Sequence, residues 1–193
     1  MSGPVVVGVD GSPSSLTAVE VAVREADRRG VGVRLTYALG WPSGVPAGVP
    51  PWDPGGGYQE ALNGTLAEAR HRASGIAPRV EVTNEVLFGA PAAVLELSSA
   101  YASLTVVDDG RPNGGKRVGA LPHESVSGRL VRHGPCPVLV VRGRQDPTGP
   151  VLVALNSSAG ARRATELAFA EPSSRRVPGP SSSWSPSAAR QAW

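Results

Sequence analysis

Residues Val5-Val-Val-Gly-Val-Asp-Gly-Ser12 return as Val151-Leu-Val-Ala-Leu-Asn-Ser-Ser158 after a displacement of 146 positions (151 − 5), and the likeness continues through Ala18/Ala164, Glu20/Glu166 and Ala22/Ala168. A spacing of that length is a domain length, far beyond a solenoid repeat of roughly 20–50 residues. The chain therefore reads as one complete unit over residues 1–145 and the opening strand (151–155) and helix (159–170) of an incomplete second unit over 146–170. After Ala170 the periodicity stops, and Glu171-Pro-Ser-Ser-Arg-Arg-Val-Pro-Gly-Pro-Ser-Ser-Ser-Trp184 has the composition of a disordered tail, expected over 171–193. Function is sought in the first unit.

That unit alternates strand and helix patterns. Val5 to Val9 is an apolar, β-branched run suited to a strand buried on both faces of a parallel sheet. Ser12 is a natural N-cap with Pro13 at the first helical position, Leu16, Val19, Val23 and Ala26 follow at helical spacing, and Gly30 stops the helix. Val31 to Ala38 reads as the second strand, and the Pro- and Gly-rich stretch 39–57, with Trp41 and Trp52, as a long loop. Gln59 to Ser74 gives a second helix that Asn63-Gly64 weakens, Val80 to Leu87 a third strand, and Pro91 to Ala100 a third helix. Leu104 to Val107, a Gly-rich loop over 108–122, a helix from Glu124 to His133 and the strand Pro137 to Arg142 complete the unit. Five strands alternating with helices predict an α/β fold, a doubly wound five-stranded parallel sheet.

Composition narrows the function classes. Of the formal net charge of +3, the tail contributes +2 through Arg175, Arg176 and Arg190 against Glu171, so only +1 belongs to the rest and nucleic acid is not an expected partner. The single cysteine, Cys136, excludes an intramolecular disulfide and suits a reducing compartment. No apolar run approaches the roughly 18 residues of a membrane span. The expectation is a cytoplasmic protein with no membrane contact.

Open α/β sheets bind ligands beyond the carboxyl ends of their strands, where the winding reverses. Two segments meet that rule: the turn Asp10-Gly11-Ser12 after the first strand, and the Gly-rich loop from Asp108 to Ser127 after the fourth. The second carries Gly110, Gly114, Gly115 and Gly119 ahead of a helix start bearing Ser125, Val126 and Ser127, where glycines admit a phosphate to the backbone and free N–H groups favour an anion. An ordinary flexible loop with a serine cap has the same composition. Cys136, between Pro135 and Pro137, reads as a small buried hydrophobe. His123 and His133 lack the setting of a metal pair.

These residues resemble the universal stress protein family. Val5 to Ser12 is similar to that family's first strand and turn, and Ser125-Val-Ser-Gly-Arg-Leu-Val-Arg-His-Gly-Pro-Cys-Pro-Val-Leu-Val-Val-Arg142 to its closing helix and strand; the resemblance covers residues 4–143, and the second start looks like a tandem arrangement. It implies strand order 3-2-1-4-5, the adenine nucleotide alpha-hydrolase-like fold, a homodimer through Pro137–Arg142, and ATP held by Asp10, Gly11, Ser12, Ala38, Gly114, Gly115, Gly119, Ser125, Val126 and Ser127, with Mg²⁺ bridged to phosphate by Asp10 or Asp108. Demonstrated turnover is rare in the family, and no catalytic base stands out here, so a binding module is expected rather than an enzyme.

The phosphate-loop pattern implied by the resemblance is Gly, two residues, Gly, nine residues, then Gly-Ser or Gly-Thr. Here Glu124 stands at the last glycine, Gly114 fits the second and Arg111 stands at the first. Asp108, Asp109 and Glu124 add carboxylates that repel a polyphosphate, with Arg111, Lys116 and Arg117 as available offsets. A dimeric interaction protein of the same fold without nucleotide is therefore the alternative. A phosphoacceptor built on Asp10, Asp108 and Asp109 is a third reading, disfavoured because Arg142 stands where a lysine would close the fifth strand.

Overall fold

The computed structural model describes residues 3–40, 57–110, 125–143 and 165–166. Contacts divide the chain into two units, Met1–Gln145 and Asp146–Trp193. In the second, residues 165–166 are helical. Trp41, Trp52, Arg111, Gly114, Gly115, Lys116, Arg117, Gly119, His123, Glu124, the repeated strand 151–155, most of 159–170 and the tail 171–193 lie outside the described residues.

The first unit runs β1 (Val5–Gly8), α1 (Pro13–Arg29), β2 (Val33–Leu39), α2 (Gly57–Ile76), β3 (Val82–Phe88), α3 (Pro91–Ser98), a 3₁₀ turn at Ser99–Tyr101, β4 (Leu104–Asp108), α4 (Val126–His133) and β5 (Val138–Val141). The strands form one sheet in the order β3-β2-β1-β4-β5. All four pairings are parallel, with Val5 opposite Val33 on one side and Leu104 on the other. The predicted fold class and strand order are those observed.

Strand alternation sorts the core into two layers. Val5, Val7 and Val9 of the β1 segment join Leu35, Val106 and the apolar faces of α1 and α2 in the larger cluster. Val6 packs on the other side with Leu95 of α3, Val107 and Leu130 of α4. Val5, Val6 and Val7 are each fully buried because helices cover both faces of this central strand, which is why its sequence is apolar without interruption.

Local signals set the element ends. Ser12 Oγ accepts the Ser15 N–H at 3.1 Å, capping α1 where Pro13 begins it. At the other end Gly30 adopts φ 64°, its N–H donates to Asp27 O, and the Val31 N–H donates to Ala26 O. This paired capping of the last carbonyls takes Val31 out of the sheet, so β2 starts at Val33 rather than at the expected Val31.

The other differences have similar causes. Helix α2 runs through Asn63-Gly64 without a break, since Leu62, Leu66, Ala69 and Ala73 are buried, and tertiary burial outweighs the local propensity. Helix α3 ends at Ser98 instead of Ala100: Ser99 Oγ bonds the Leu95 carbonyl and lies 2.6 Å from Thr105 Oγ1, and the chain tightens into the 3₁₀ turn. Helix α4 begins one residue after its cap, Ser125, whose Oγ accepts the Gly128 N–H at 3.0 Å, and not at Glu124. Cys136 is only half-buried, with Sγ 3.1 Å from Thr105 Oγ1.

Candidate functional site

With order 3-2-1-4-5, the winding reverses between β1 and β4, and the chain leaves both strands in opposite directions across the sheet. A cleft of about 280 Å³ opens there, bordered by the ends of β1, β2 and β4 and by the starts of α3 and α4. Its floor follows from alternation. Gly8, Thr36 and Val107 lie on the α3/α4 face of the sheet, and one further step of two residues brings Asp10, Ala38 and Asp109 to the same side. Gly8 leaves no slack: an added Cβ would meet Leu95 Cδ1 at 3.0 Å.

Of the sequence-predicted site residues, Asp10, Ala38, Asp108, Ser125, Val126 and Ser127 border this one cleft. Gly11 and Ser12 support it from the adjoining turn. Gly11 takes φ 83° beside Thr65 of α2, and Ser12 caps α1. Gly114, Gly115 and Gly119 are among the residues not described. Ser15, Thr36, Pro91 and Leu95 also line the cleft and were not singled out from sequence. The parity rule above would have found Thr36, two residues before Ala38 on the same strand face.

The Asp10 carboxylate is held by its own turn. Asp10 Oδ1 accepts the Ser12 N–H at 2.9 Å, and the Asp10 N–H reaches Ser15 Oγ at 3.4 Å. Burial works to raise its pKa, but hydrogen bonds from Ser12 and Ser15 and from the backbone outweigh it, leaving the net value below the ordinary 3.8. Asp10 is therefore a fixed negative charge and a hydrogen-bond acceptor at neutral pH.

The other two carboxylates are also engaged. Asp108 Oδ2 accepts the Gly110 N–H at 3.1 Å, and Asp109 Oδ2 pairs with Arg142 Nε, just beyond β5, at 3.1 Å. The repulsion expected from Asp109 is thus offset by a cation from the neighbouring strand. Among the described residues no three His, Cys, Asp or Glu side chains meet as a metal-holding group.

Positive potential comes from two helix starts. Pro91 opens α3 and Ser125 caps α4, and both border the cleft. The first N–H groups of a helix have no acceptor within it, and the aligned peptide dipoles add partial positive charge there. Ser125 Oγ and Ser127 Oγ stand 3.3 Å apart at the α4 end, so two hydroxyls accompany those N–H groups.

Beside this rim lies a polar cluster on the same face. Thr36 Oγ1 is 3.2 Å from Glu85 Oε2 and 2.9 Å from Ser98 Oγ, Ser98 Oγ donates to the same carboxylate, and Arg34 Nη1 stands 3.8 Å from its other oxygen. The Thr36 hydroxyl in the cleft floor is thereby fixed in orientation from β3 and α3. No helix among the described residues is long and apolar enough to cross a membrane.

Comparison with known proteins agrees with this architecture. The model of the universal stress protein family matches residues 1–142. A universal stress protein of Mycobacterium tuberculosis is 33% identical over 195 aligned positions, and a second from the same species 32% over 184; each alignment takes in 90% of this chain. The chain spans about 60% of the length of these relatives. A crystal structure of a universal stress protein in complex with cAMP superimposes with TM-score 0.55 at 26% identity, covering 72% of this chain and 96% of that one. An Archaeoglobus fulgidus universal stress protein in complex with dAMP shares the fold, with TM-score 0.53 at 18% identity, covering 74% of this chain and 100% of that one. By its sheet order and by a family match over residues 1–142, the chain belongs to the universal stress protein family.

Proposed function

We propose that the β1/β4 cleft binds an adenine nucleotide, with Asp10 and Ala38 at the nucleoside end and Ser125, Val126 and Ser127 receiving phosphate. The observation that carries this reading is the convergence of Asp10 with the N-terminus of α4 in one cleft at the reversal of the winding. The relative solved with cAMP lends support from a neighbour of the same fold. Gly11 and Ser12 hold the Asp10 turn, and Gly114, Gly115 and Gly119 are proposed as further phosphate-binding residues. Asp10 or Asp108 would hold the Mg²⁺ of a triphosphate, which would supply charge to offset the phosphates.

The role proposed is binding in a stress response, not turnover. A carboxylate whose pKa lies below the ordinary value is a poor proton acceptor near neutrality, and Asp109 is committed to Arg142. We also propose that β5 pairs two copies of the chain. Among the described residues it is the edge strand of the sheet, and its Val138, Leu139 and Val140 stay half-exposed. Residues 146–170 are proposed as the opening of a second domain, consistent with alignments to relatives that reach beyond residue 142.

Calorimetric titration of the full chain with AMP and with ATP, each with and without Mg²⁺, tests the reading. Saturable binding that weakens at least tenfold in Asp10→Ala and in Ser125→Ala is expected. Absence of heat with every nucleotide would favour the interaction-protein alternative.

A further inference from the structure

We propose, on the basis of the nucleotide reading above, that Asp109 and Arg142 form a charge-selective element of the site: Asp109 holds Arg142 in the absence of ligand, and an incoming phosphate takes Arg142 over. Three observations lead there. Asp109 lines the cleft, as do Ser125 and Ser127, so a phosphate at the α4 start shares the space with this carboxylate. Its side chain is only 11% exposed while that of Arg142 is 63% exposed, so the acid sits in the cleft wall and the guanidinium is the member of the pair that solvent and a ligand can reach.

The third observation is register. Asp108 is opposite Val141 in the parallel pairing of β4 and β5, which sets Asp109 and Arg142 side by side one residue past the paired strands. Val138 and Val140 pack against the α3/α4 core layer, alternation carries Arg142, two residues on, to the same side, and its guanidinium meets the cleft at Asp109. Arginine suits such an exchange because its planar fork can leave a carboxylate for a phosphate oxygen pair without changing charge. Asp109 thus has two effects on an anionic ligand: it occupies the cation and it repels the phosphate. Arg142 determines preference among adenine ligands by their phosphate charge, and Asp109 sets how strong that preference is.

The test is the ratio of AMP to adenosine affinity, and of ATP to adenosine affinity, measured by calorimetry on the full chain. Asp109→Asn should raise both ratios at least tenfold, Arg142→Gln should lower them at least tenfold, and Arg142→Lys, which keeps the charge but loses the fork, should fall between Arg142→Gln and the unmodified chain. A merely structural ion pair predicts that breaking it from either side moves the ratios in the same direction. That result, or unchanged ratios in both variants while the unmodified chain binds AMP, overturns the proposal and leaves the nucleotide reading standing. Failure of the unmodified chain to bind adenosine, AMP or ATP would remove the nucleotide reading and this inference with it. Circular dichroism melting of each variant confirms that the ratios are measured on folded protein.

Discussion

Replacing Gly11 by alanine probes the turn that sets the Asp10 carboxylate. Gly11 has φ 83°, and an L-residue in that region costs about 1–2 kcal/mol. A Cβ there would stand 3.0 Å from Thr65 Oγ1 and 3.3 Å from Thr65 Cγ2, closer than the roughly 3.5–4.0 Å of an unstrained contact. Thr65 lies on α2, where its χ1 is limited to two rotamers, and both of its branches already stand against the added Cβ, so the turn or the helix has to move. Crowding of that kind adds about 1–3 kcal/mol, for a total of about 2–5 kcal/mol. In a Thr65→Ala background the two close branch atoms are gone and the Cβ of residue 65 stays at 3.8 Å, an ordinary contact, so the cost should fall toward the backbone part. Urea unfolding of the four proteins gives the coupling directly, about 1–3 kcal/mol in favour of the double variant. Equal costs for Gly11→Ala in the two backgrounds would show that α2 does not brace the turn.

Leu130→Ala should destabilise the first unit by about 2–4 kcal/mol in urea unfolding, because Leu130 is 1% exposed at the centre of the smaller core layer; the partly exposed Val126, Val138 and Val140 around it can close in and keep the loss below the upper range. A loss under about 1 kcal/mol would mean that this layer is not what fixes α4. Ser12→Ala should cost about 1 kcal/mol through loss of the α1 cap, and Ser12→Gly less. Asp10, whose folded pKa lies below its ordinary 3.8, contributes stability that is present above about pH 4 and lost as pH falls through the folded value. A carboxyl NMR titration should find its midpoint below 3.8, and a midpoint at or above that value would contradict the hydrogen bonding described for its turn.

Where local chemistry decides conformation, the sequence was readable. Val5 to Val9 required a strand covered on both faces, and Ser12-Pro13 and Gly30 marked the ends of α1 through capping groups whose partners lie within five residues. Boundaries slipped where a distant partner decides them. Ser99 left α3 early partly because Thr105, on the next strand, lies against its hydroxyl, and α2 crossed Asn63-Gly64 because α1 and the sheet supply the burial. The site was legible in the same measure. The rule for winding reversal, applied to five strands alternating with helices, picked out the turn at Asp10 and the loop from Asp108 to Ser127, whereas the pairing of Asp109 with Arg142 depends on the β4/β5 register, which no spacing within either segment encodes. Strand parity with Ala38 marks the face Thr36 lies on, but the hydrogen bonds of its hydroxyl to Ser98 and Glu85, 62 and 49 positions away, are not legible locally.

In the proposed reading, ligand enters at the carboxyl ends of β1 and β4. Amide chemical-shift mapping of the ¹⁵N-labelled chain during AMP addition tests it most directly. Shifts concentrated at Gly8–Ser12 and Ser125–Gly128 are the expected result. Shifts confined to the groove at the other end of the sheet, around Gly30, Gly32 and Arg34, or none at either end, would contradict it.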